Sequence, residues 1–228
     1  MPLQNRVTPF GEIVAISARG LLMGNRGGRL HDPATKLLSG RRWASRAWIA
    51  CDLHYGDTRR EVMGRGYTEL FFLDEVTALT AGHRPCYLCR RAAARAFAER
   101  WAAAHGLARP PRAGDMDRVL HRERTPLGMR PHFLEPIPDL PDGTMIALPK
   151  PEAEPGDPGA IWEAWAVRGD RLLKWSGAGY AEVRPRPGAG LAYALTPPST
   201  IAVLANGYQP TWHDTAEQAQ ETPPGAPA

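Results

Sequence analysis

The sequence is poor in cysteine, in lysine and in long apolar runs. Its 228 residues include three cysteines, too few and too clustered for the disulfide framework of a small secreted domain. No apolar run approaches the roughly 18–20 residues that span a bilayer, and Met1–Arg6 lacks the apolar core of a signal peptide. These absences predict a cytoplasmic protein that makes no membrane contact.

Basic charge comes almost entirely from arginine and is concentrated in the N-terminal part of the chain. Only Lys36, Lys150 and Lys174 are lysines, and the formal net charge is +4. Residues 1–130 carry 22 basic against 12 acidic side chains, whereas residues 131–228 carry 6 against 12. Arginine binds phosphate through paired hydrogen bonds, so a basic half favours an acidic partner such as nucleic acid. A GC-rich genome also enriches arginine over lysine and is the alternative explanation.

The distribution of turns and apolar segments predicts an α+β protein. The 23 prolines and 23 glycines imply many turns, which excludes a simple helical bundle. Asp74 is expected to cap a short helix that ends at Gly82. We expect a small zinc-stabilised α+β N-terminal domain followed by a smaller β-rich domain. The expected boundaries are 1–108 for the zinc-binding domain, 109–141 for a helix and a Pro-rich linker, 142–213 for the β-rich domain and 214–228 for a disordered tail.

Two of the cysteines, Cys86 and Cys89, are separated by two residues and precede a helix predicted from Arg90 to His105. A tight turn lets both sulfurs reach one metal ion, and the positive end of the helix dipole favours their thiolate form. Cys51 lies upstream on a predicted hairpin, with His54 three residues after it. Zinc prefers four thiolate or imidazole ligands in a tetrahedron. The two pairs therefore predict a Zn²⁺ site of the treble-clef kind.

The fourth ligand is the least constrained part of this prediction. Side chains three positions apart on a regular strand point to opposite faces, so His54 reaches the ion only if the chain turns sharply after Cys51. His31 and His83 are the alternatives. A different interpretation makes Cys51 a small core residue and the other two cysteines a redox pair.

Five arginines are candidate nucleic-acid contacts: Arg26, Arg84, Arg90, Arg91 and Arg95. Arg26 lies in a glycine-rich segment, 24–28, that is either a tight turn or an anion-binding loop, and the other four lie near the predicted zinc site or on the helix that follows it. A helix that begins at a zinc site and carries arginines can lie along a phosphate backbone, and we expect DNA in preference to RNA. The other interpretation is a solvated helix face without a partner.

An apolar segment, a short helix ending in Ala81-Gly82, and the run Arg84–Arg90 resemble the metal-binding domain of the Ada DNA-repair protein. In that family Arg-Pro-Cys-x-x-Cys-Arg supplies the second pair of zinc ligands. The resemblance covers about residues 71–90 and implies a zinc domain that binds DNA, with a role related to DNA repair. The whole chain also resembles an uncharacterised group of bacterial proteins that share the segments Tyr67–Glu75 and Gly82–Cys86.

The sequence departs from that family at the first ligand pair. The family has two cysteines with three residues between them, whereas here Cys51 is followed by His54, and an imidazole ligand makes the remaining thiolates poorer nucleophiles. No Pro-Cys-His-Arg methyltransferase motif follows, so the sequence argues against suicide methyl transfer. We therefore expect a zinc-binding protein that binds nucleic acid. The alternatives are a metal-dependent hydrolase or nuclease, with His31, His54 or His121 as base, and a non-catalytic adaptor with a structural zinc.

Overall fold

The structure is a computed structural model of the chain, and it describes residues 1–56, 61–124, 133–150 and 162–218. Within these residues the chain forms two six-stranded sheets and five α-helices, which confirms the predicted α+β class. The strands are β1 (Arg6–Val7), β2 (Ile13–Val14), β3 (Leu22–Arg26), β4 (Trp48–Asp52), β5 (Leu70–Phe72), β6 (Arg84–Pro85), β7 (Phe133–Pro136), β8 (Met145–Pro149), β9 (Trp162–Arg168), β10 (Arg171–Ser176), β11 (Gly179–Pro185) and β12 (Leu191–Ala194). The helices are α1 (Glu75–Thr80), α2 (Arg91–Ala104), α3 (Ala113–Glu123), α4 (Pro198–Ala205) and α5 (Thr215–Gln218), with a 3₁₀ turn at Ile137–Asp139.

The first sheet comes from the N-terminal half and has the strand order β2-β1-β5-β3-β4-β6. Side chains on each strand alternate between the two faces of the sheet. Leu22, Ala50 and Phe72 point into a buried core that they share with α1. Their sequence neighbours, among them Met23 and Cys51, point to the opposite face, where they line a cleft. We call this opposite side the outer face of the first sheet.

The second sheet has the strand order β11-β10-β9-β8-β12-β7 and is antiparallel throughout. The predicted hairpin turn forms between β9 and β10, where Arg168 pairs with Arg171. Gly169 takes φ 59° in this turn, a left-handed conformation that favours glycine. The sheet packs against α1, since Val76 lies in one buried cluster with Met145.

Helices α2, α3 and α4 form a further core between the two halves of the chain. The helix predicted from Arg90 to His105 is α2, and Gly106 ends it with φ 62°. Its buried face, which includes Phe97 and Trp101, packs against Leu120 of α3 and Val203 of α4. Because α4 belongs to the C-terminal half, this core joins the two halves.

Asp74 joins the same two halves through hydrogen bonds. As predicted, it caps α1: its carboxylate accepts a hydrogen bond from the backbone N–H of Thr77 at 2.8 Å. It also accepts one from the Tyr180 hydroxyl at 2.8 Å and one from the backbone N–H of His213 at 3.1 Å. Burial raises the pKa of Asp74, although these donors favour its ionised form.

Glu75, the next residue, is a second buried junction and is only 1% exposed. Its two carboxylate oxygens accept hydrogen bonds from the guanidinium of Arg90, both at 2.9 Å. The same carboxylate accepts one from the Tyr208 hydroxyl at 2.6 Å and one from the backbone N–H of Thr211 at 2.9 Å. Glu75 therefore ties the residue just before α2 to the C-terminal segment of the described chain.

The packing bears on the predicted domain boundaries. Helix α3 and strand β7 fall in the segment 109–141, for which a helix and a Pro-rich linker are predicted; α3 contributes Met116 to a buried core, and β7 belongs to the second sheet. The predicted disordered tail starts too early, because α5 is ordered and buries Ala216 under the second sheet. Residues 125–132 and 219–228 of these segments lie outside the described residues, and the division into domains stays a prediction. Among the described residues, no helix is long and apolar enough to cross a bilayer.

Candidate metal centre

Cys51, Cys86 and Cys89 lie together at one edge of the first sheet. Cys51 is near the end of β4, and Cys86 directly follows β6. Strand β6 runs parallel to β4 and pairs Pro85 with Ala50, so Cys51 and Cys86 come next in register. The three sulfur atoms all lie within 4.8 Å of one another. The structure thus brings together three of the four predicted ligands, and this group could hold a metal ion.

A hydrogen-bonded turn holds the Cys86–Cys89 segment in place. The backbone N–H of Cys86 donates to the carbonyl of Ala50 at 2.9 Å, which fastens the turn to β4. The backbone N–H of Arg90 donates to the carbonyl of Cys86 at 3.0 Å and closes the turn before α2. The backbone N–H of Leu88 points at the Cys86 sulfur, 3.4 Å away. Backbone contacts therefore hold the Cys86–Cys89 turn against β4.

The three thiols share their protons unequally. The hydrogen bond from the Cys51 thiol, together with the backbone amides of Cys89 and Leu88, lowers the pKa of Cys86 to about 5, against an opposing effect of burial. The pKa of Cys51 is raised, because its thiol donates that hydrogen bond and is buried. Burial is the main cause that raises the pKa of Cys89. The cluster thus favours one thiolate, and a bound cation would favour the other two.

The histidines considered as fourth ligands lie apart from the thiols. His54 is exposed in the segment after β4; it lines the same cleft but is not part of the cluster. His31 is buried, with Nδ1 2.6 Å from the Thr68 hydroxyl and Nε2 2.8 Å from the Gly64 carbonyl. His83 is buried on the other side of the sheet among aromatic rings, and burial lowers its pKa. Of the three, His54 alone faces the cleft.

Arg90 stabilises the turn through contacts with two carboxylates. Its guanidinium binds Glu75 and lies 3.4 Å from the carboxylate of Asp52, the residue after Cys51. Burial raises the pKa of Asp52, and the charge of Arg90 opposes that shift. Arg90 thereby connects both sides of the thiol cluster to the buried carboxylate Glu75.

Three of the five arginines predicted to contact nucleic acid are buried. Arg26 is 0% exposed, and Arg84 forms two hydrogen bonds to Asp117 at 2.8 and 2.9 Å. The side chain of Arg90 is 8% exposed and is held by Glu75. A guanidinium held in this way has no free edge for a phosphate, so the prediction for Arg26, Arg84 and Arg90 is corrected: they are structural residues. Arg91 and Arg95 are exposed on α2, and their contact with nucleic acid stays a prediction.

The thiols open onto a cleft of about 600 Å³ above the outer face of the first sheet. Met23, Ile49 and Phe71 contribute apolar side chains from the strands beneath it. Three large apolar side chains of the same lining are exposed, Leu53 at 41%, Tyr55 at 50% and Leu88 at 63%. Exposed apolar groups gathered at a cleft are typical of a ligand site.

Sequence analysis did not identify the far end of this cleft, which is lined by Arg6 and Arg19. The alternation of side chains along β3 and β4 could have predicted that Met23 and Cys51 point to the face opposite the buried core. The pairing of β1 with β5, which brings Arg6 beside Phe71, has no local signal in the sequence, because the two residues are 65 positions apart.

Comparison of the chain with known protein families, with curated proteins and with solved structures finds no match. The resemblance of residues 71–90 to the Ada metal-binding domain therefore stays a prediction. What the chain does must be inferred from its own residues, and the thiol cluster beside an open cleft is the main feature from which to infer it.

Proposed function

We propose that the protein binds Zn²⁺ through Cys51, Cys86 and Cys89, and that the fourth coordination position of the ion faces the cleft. Three clustered thiols are soft ligands that suit zinc better than magnesium or calcium. Structural zinc sites have four protein ligands, whereas three protein ligands and one open position are typical of sites that bind or transform a ligand. The observation that carries the proposal is the three sulfurs within 4.8 Å of one another at a cleft of about 600 Å³.

The protein's own residues define what such a site could do. A zinc ion bound there would act as a Lewis acid toward water or a ligand from the cleft. Asp52 follows a thiol ligand directly and lines the cleft, so this carboxyl group is placed to accept a proton from a bound molecule. This favours a metal-dependent hydrolase over a closed structural site. A reducing compartment such as the cytoplasm would keep the three free thiols available.

Cobalt substitution tests the open position. Purified metal-free protein should bind one Co²⁺ per chain, with intense thiolate-to-cobalt absorption and the visible bands of four-coordinate cobalt. Adding imidazole or another small external ligand should shift the visible bands, because it enters the position that faces the cleft. The His54→Ala variant is the control, since an unchanged spectrum means that His54 does not fill this position.

Two results would contradict the proposal in different ways. Metal content near zero after purification with and without added zinc would remove the metal centre altogether. Suppose instead that one Co²⁺ binds per chain, that external ligands leave the spectrum unchanged, and that His54→Ala changes it. The site would then be closed, with three cysteines and one histidine as ligands.

Nucleic-acid binding is a second candidate function, favoured by one exposed surface. The segment before β4 carries Arg41, Arg42, Trp43 and Arg46, all exposed; we call these four residues the Trp43 surface. Trp43 is 44% exposed, and its ring lies edge-on to that of His121 of α3, with 5.3 Å between the ring centres. Exposed indole rings among arginines suit the stacking of bases and the neutralisation of phosphates.

Buried positive charge lies behind this surface. The guanidinium carbons of Arg26 and Arg124 both lie 4.0 Å from the centre of the Trp48 ring. Their hydrogen bonds go to backbone carbonyls and to histidine nitrogens, and neither forms an ion pair with a carboxylate within the described residues. Burial lowers the pKa of each to about 9, so both remain charged at neutral pH. Asp117 offsets part of the charge of Arg124, and the remaining positive charge adds to the attraction of the Trp43 surface for a polyanion.

Binding of a labelled single-stranded DNA should weaken steeply with salt. If the three arginines of the Trp43 surface neutralise about three phosphates, raising the salt from 50 to 200 mM should weaken binding roughly 20-fold, measured by fluorescence anisotropy. Trp43→Ala should weaken it a further fivefold or more through lost stacking, whereas Leu107→Ala, an exposed apolar residue elsewhere, should not. The double variant Arg91→Ala/Arg95→Ala tests α2 separately. Binding that is independent of salt would exclude this function.

A further inference from the structure

The cleft beside the thiols has a second polar end, formed by Arg6 and Arg19. Arg6 lies on β1 and donates a hydrogen bond from Nε to the carbonyl of Ala18 at 2.7 Å. Its guanidinium carbon lies 4.7 Å from the centre of the Phe71 ring. Arg19 is exposed beside it. The Nη1 of Arg6 donates a second hydrogen bond to the side-chain oxygen of Asn5 at 2.5 Å, which leaves Nη2 for a ligand. Burial and the neighbouring charge of Arg19 lower the pKa of Arg6. Within the described residues, neither arginine forms an ion pair with a carboxylate.

Strand register places this end and the thiols on one line. Arg6 is paired with Phe71, Phe71 with Met23, and Met23 with Cys51, so the four side chains form a row across β1, β5, β3 and β4. Neighbouring strands are about 4.8 Å apart, which puts the Cα atoms of Arg6 and Cys51 roughly 14 Å apart. Because the Arg6 guanidinium leans over Phe71, the free length between it and the thiol is roughly two strand spacings, about 10 Å.

The acidic groups of the cleft do not neutralise these arginines. Glu69 is 4% exposed, and its carboxylate accepts a hydrogen bond from the backbone N–H of Met63 at 2.8 Å. Asp52 lies at the thiol end, beside Arg90. Among the described residues, the cleft thus has two arginines without an ion pair at one end and sulfur atoms with the Asp52 carboxylate at the other. Phe71 and Met23 lie between them, and Asn25 and Glu69 also belong to the lining.

We propose that the cleft binds a small molecule made of an anionic group on an apolar body. The anionic group, a phosphate or a carboxylate, is bound by Arg6 and Arg19, and the apolar body lies over Phe71 and Met23. Only the contact between the far end of this molecule and the thiols rests on the proposed zinc centre. Binding of the anionic group by the two arginines does not depend on zinc. A molecule of about 10 Å matches the free length of the row.

Titration with simple probes tests the inference. Phenyl phosphate and benzoate carry the two anions on one ring, inorganic phosphate lacks the apolar body, and phenol lacks the charge. We expect saturable binding of phenyl phosphate or benzoate by calorimetry, with phenol and inorganic phosphate at least about tenfold weaker. The tighter of the two ring anions identifies the anion as phosphate or carboxylate.

Matched charge reversals locate the site. Arg19→Glu should weaken the tighter probe about tenfold or more, because it replaces an exposed anion ligand with a repelling charge. Arg100→Glu makes the same change in net charge at an exposed position on α2 and should leave binding unchanged. Equal losses in both variants, or no saturable binding of either ring anion, would overturn the proposal.

Each titration is run on zinc-loaded and on metal-free protein, so that the proposal of a metal centre and the proposal of an anion site are tested independently. Binding that depends on Arg19 in both forms supports the anion site even if zinc binding fails. A protein that binds zinc but neither ring anion would keep the metal centre and lose this inference.

Discussion

Zinc binding should fall sharply in Cys86→Ser. The change removes one of three sulfur ligands, and Cys86 is the thiol whose pKa is lowered by Cys51 and the turn amides. Loss of a residue that only supports a metal ligand costs about 10–100-fold in affinity, so loss of a ligand itself should cost at least about 100-fold. Zinc content after dialysis, measured by atomic emission, should drop from one per chain to a small fraction of that.

Leu88→Ser is the matched control for this loss. Leu88 lies in the same turn between the two cysteines, is 63% exposed, and its replacement introduces the same hydroxyl while leaving all three thiols. We expect it to retain one zinc per chain. Full zinc occupancy in Cys86→Ser, with wild-type thermal stability, would show that the ion is bound elsewhere.

Glu75→Ala should cost more stability than most single substitutions. It removes the carboxylate that pairs with Arg90 and leaves that buried guanidinium, the Tyr208 hydroxyl and the Thr211 N–H without their acceptor. Breaking a buried ion pair by deleting one partner costs about 3–5 kcal/mol. The free energy of unfolding in urea should fall by about this amount, which corresponds to a midpoint lower by roughly 6–20 °C in a thermal scan.

Glu99→Ala serves as the comparison, because Glu99 is an exposed glutamate on α2. Its substitution should change the free energy of unfolding by no more than about 0.5 kcal/mol. The measurements are made with excess chelator and again with excess zinc, so that a change in metal affinity is not counted as a change in the fold. A loss in Glu75→Ala as small as that in Glu99→Ala would mean that water replaces the carboxylate without penalty.

The parts of the site that the sequence predicts are those fixed by short spacing. The turn from Cys86 to Cys89, the helix after it and the cap at Asp74 each depend on residues within a few positions of one another, so local patterns suffice. Cys51 could be included among the predicted ligands because it is the only cysteine of the sequence outside the pair Cys86 and Cys89. The sequence also separates the two kinds of secondary structure well enough to predict the α+β class.

The burial of Arg26 and Arg84 could not be predicted in the same way. The carboxylate that pairs with Arg84 is Asp117, 33 positions away on α3, and a composition argument treats every arginine as exposed. Arg6 was overlooked for a similar reason, since its place at the cleft depends on the parallel pairing of β1 with β5. Distant pairing decides whether a basic side chain meets solvent, and no local pattern encodes it.

Pro85 gives the edge of the first sheet a particular property. It lies on β6, the outermost strand of the β2-β1-β5-β3-β4-β6 order, and it carries no N–H. A proline on an edge strand removes a donor for backbone pairing with another chain, and both residues of β6 are also buried, Arg84 against Asp117 of α3. Another chain therefore cannot add a strand to the sheet beside the sulfurs. A ligand reaches them through the cleft above the strands, where side chains determine which molecules bind.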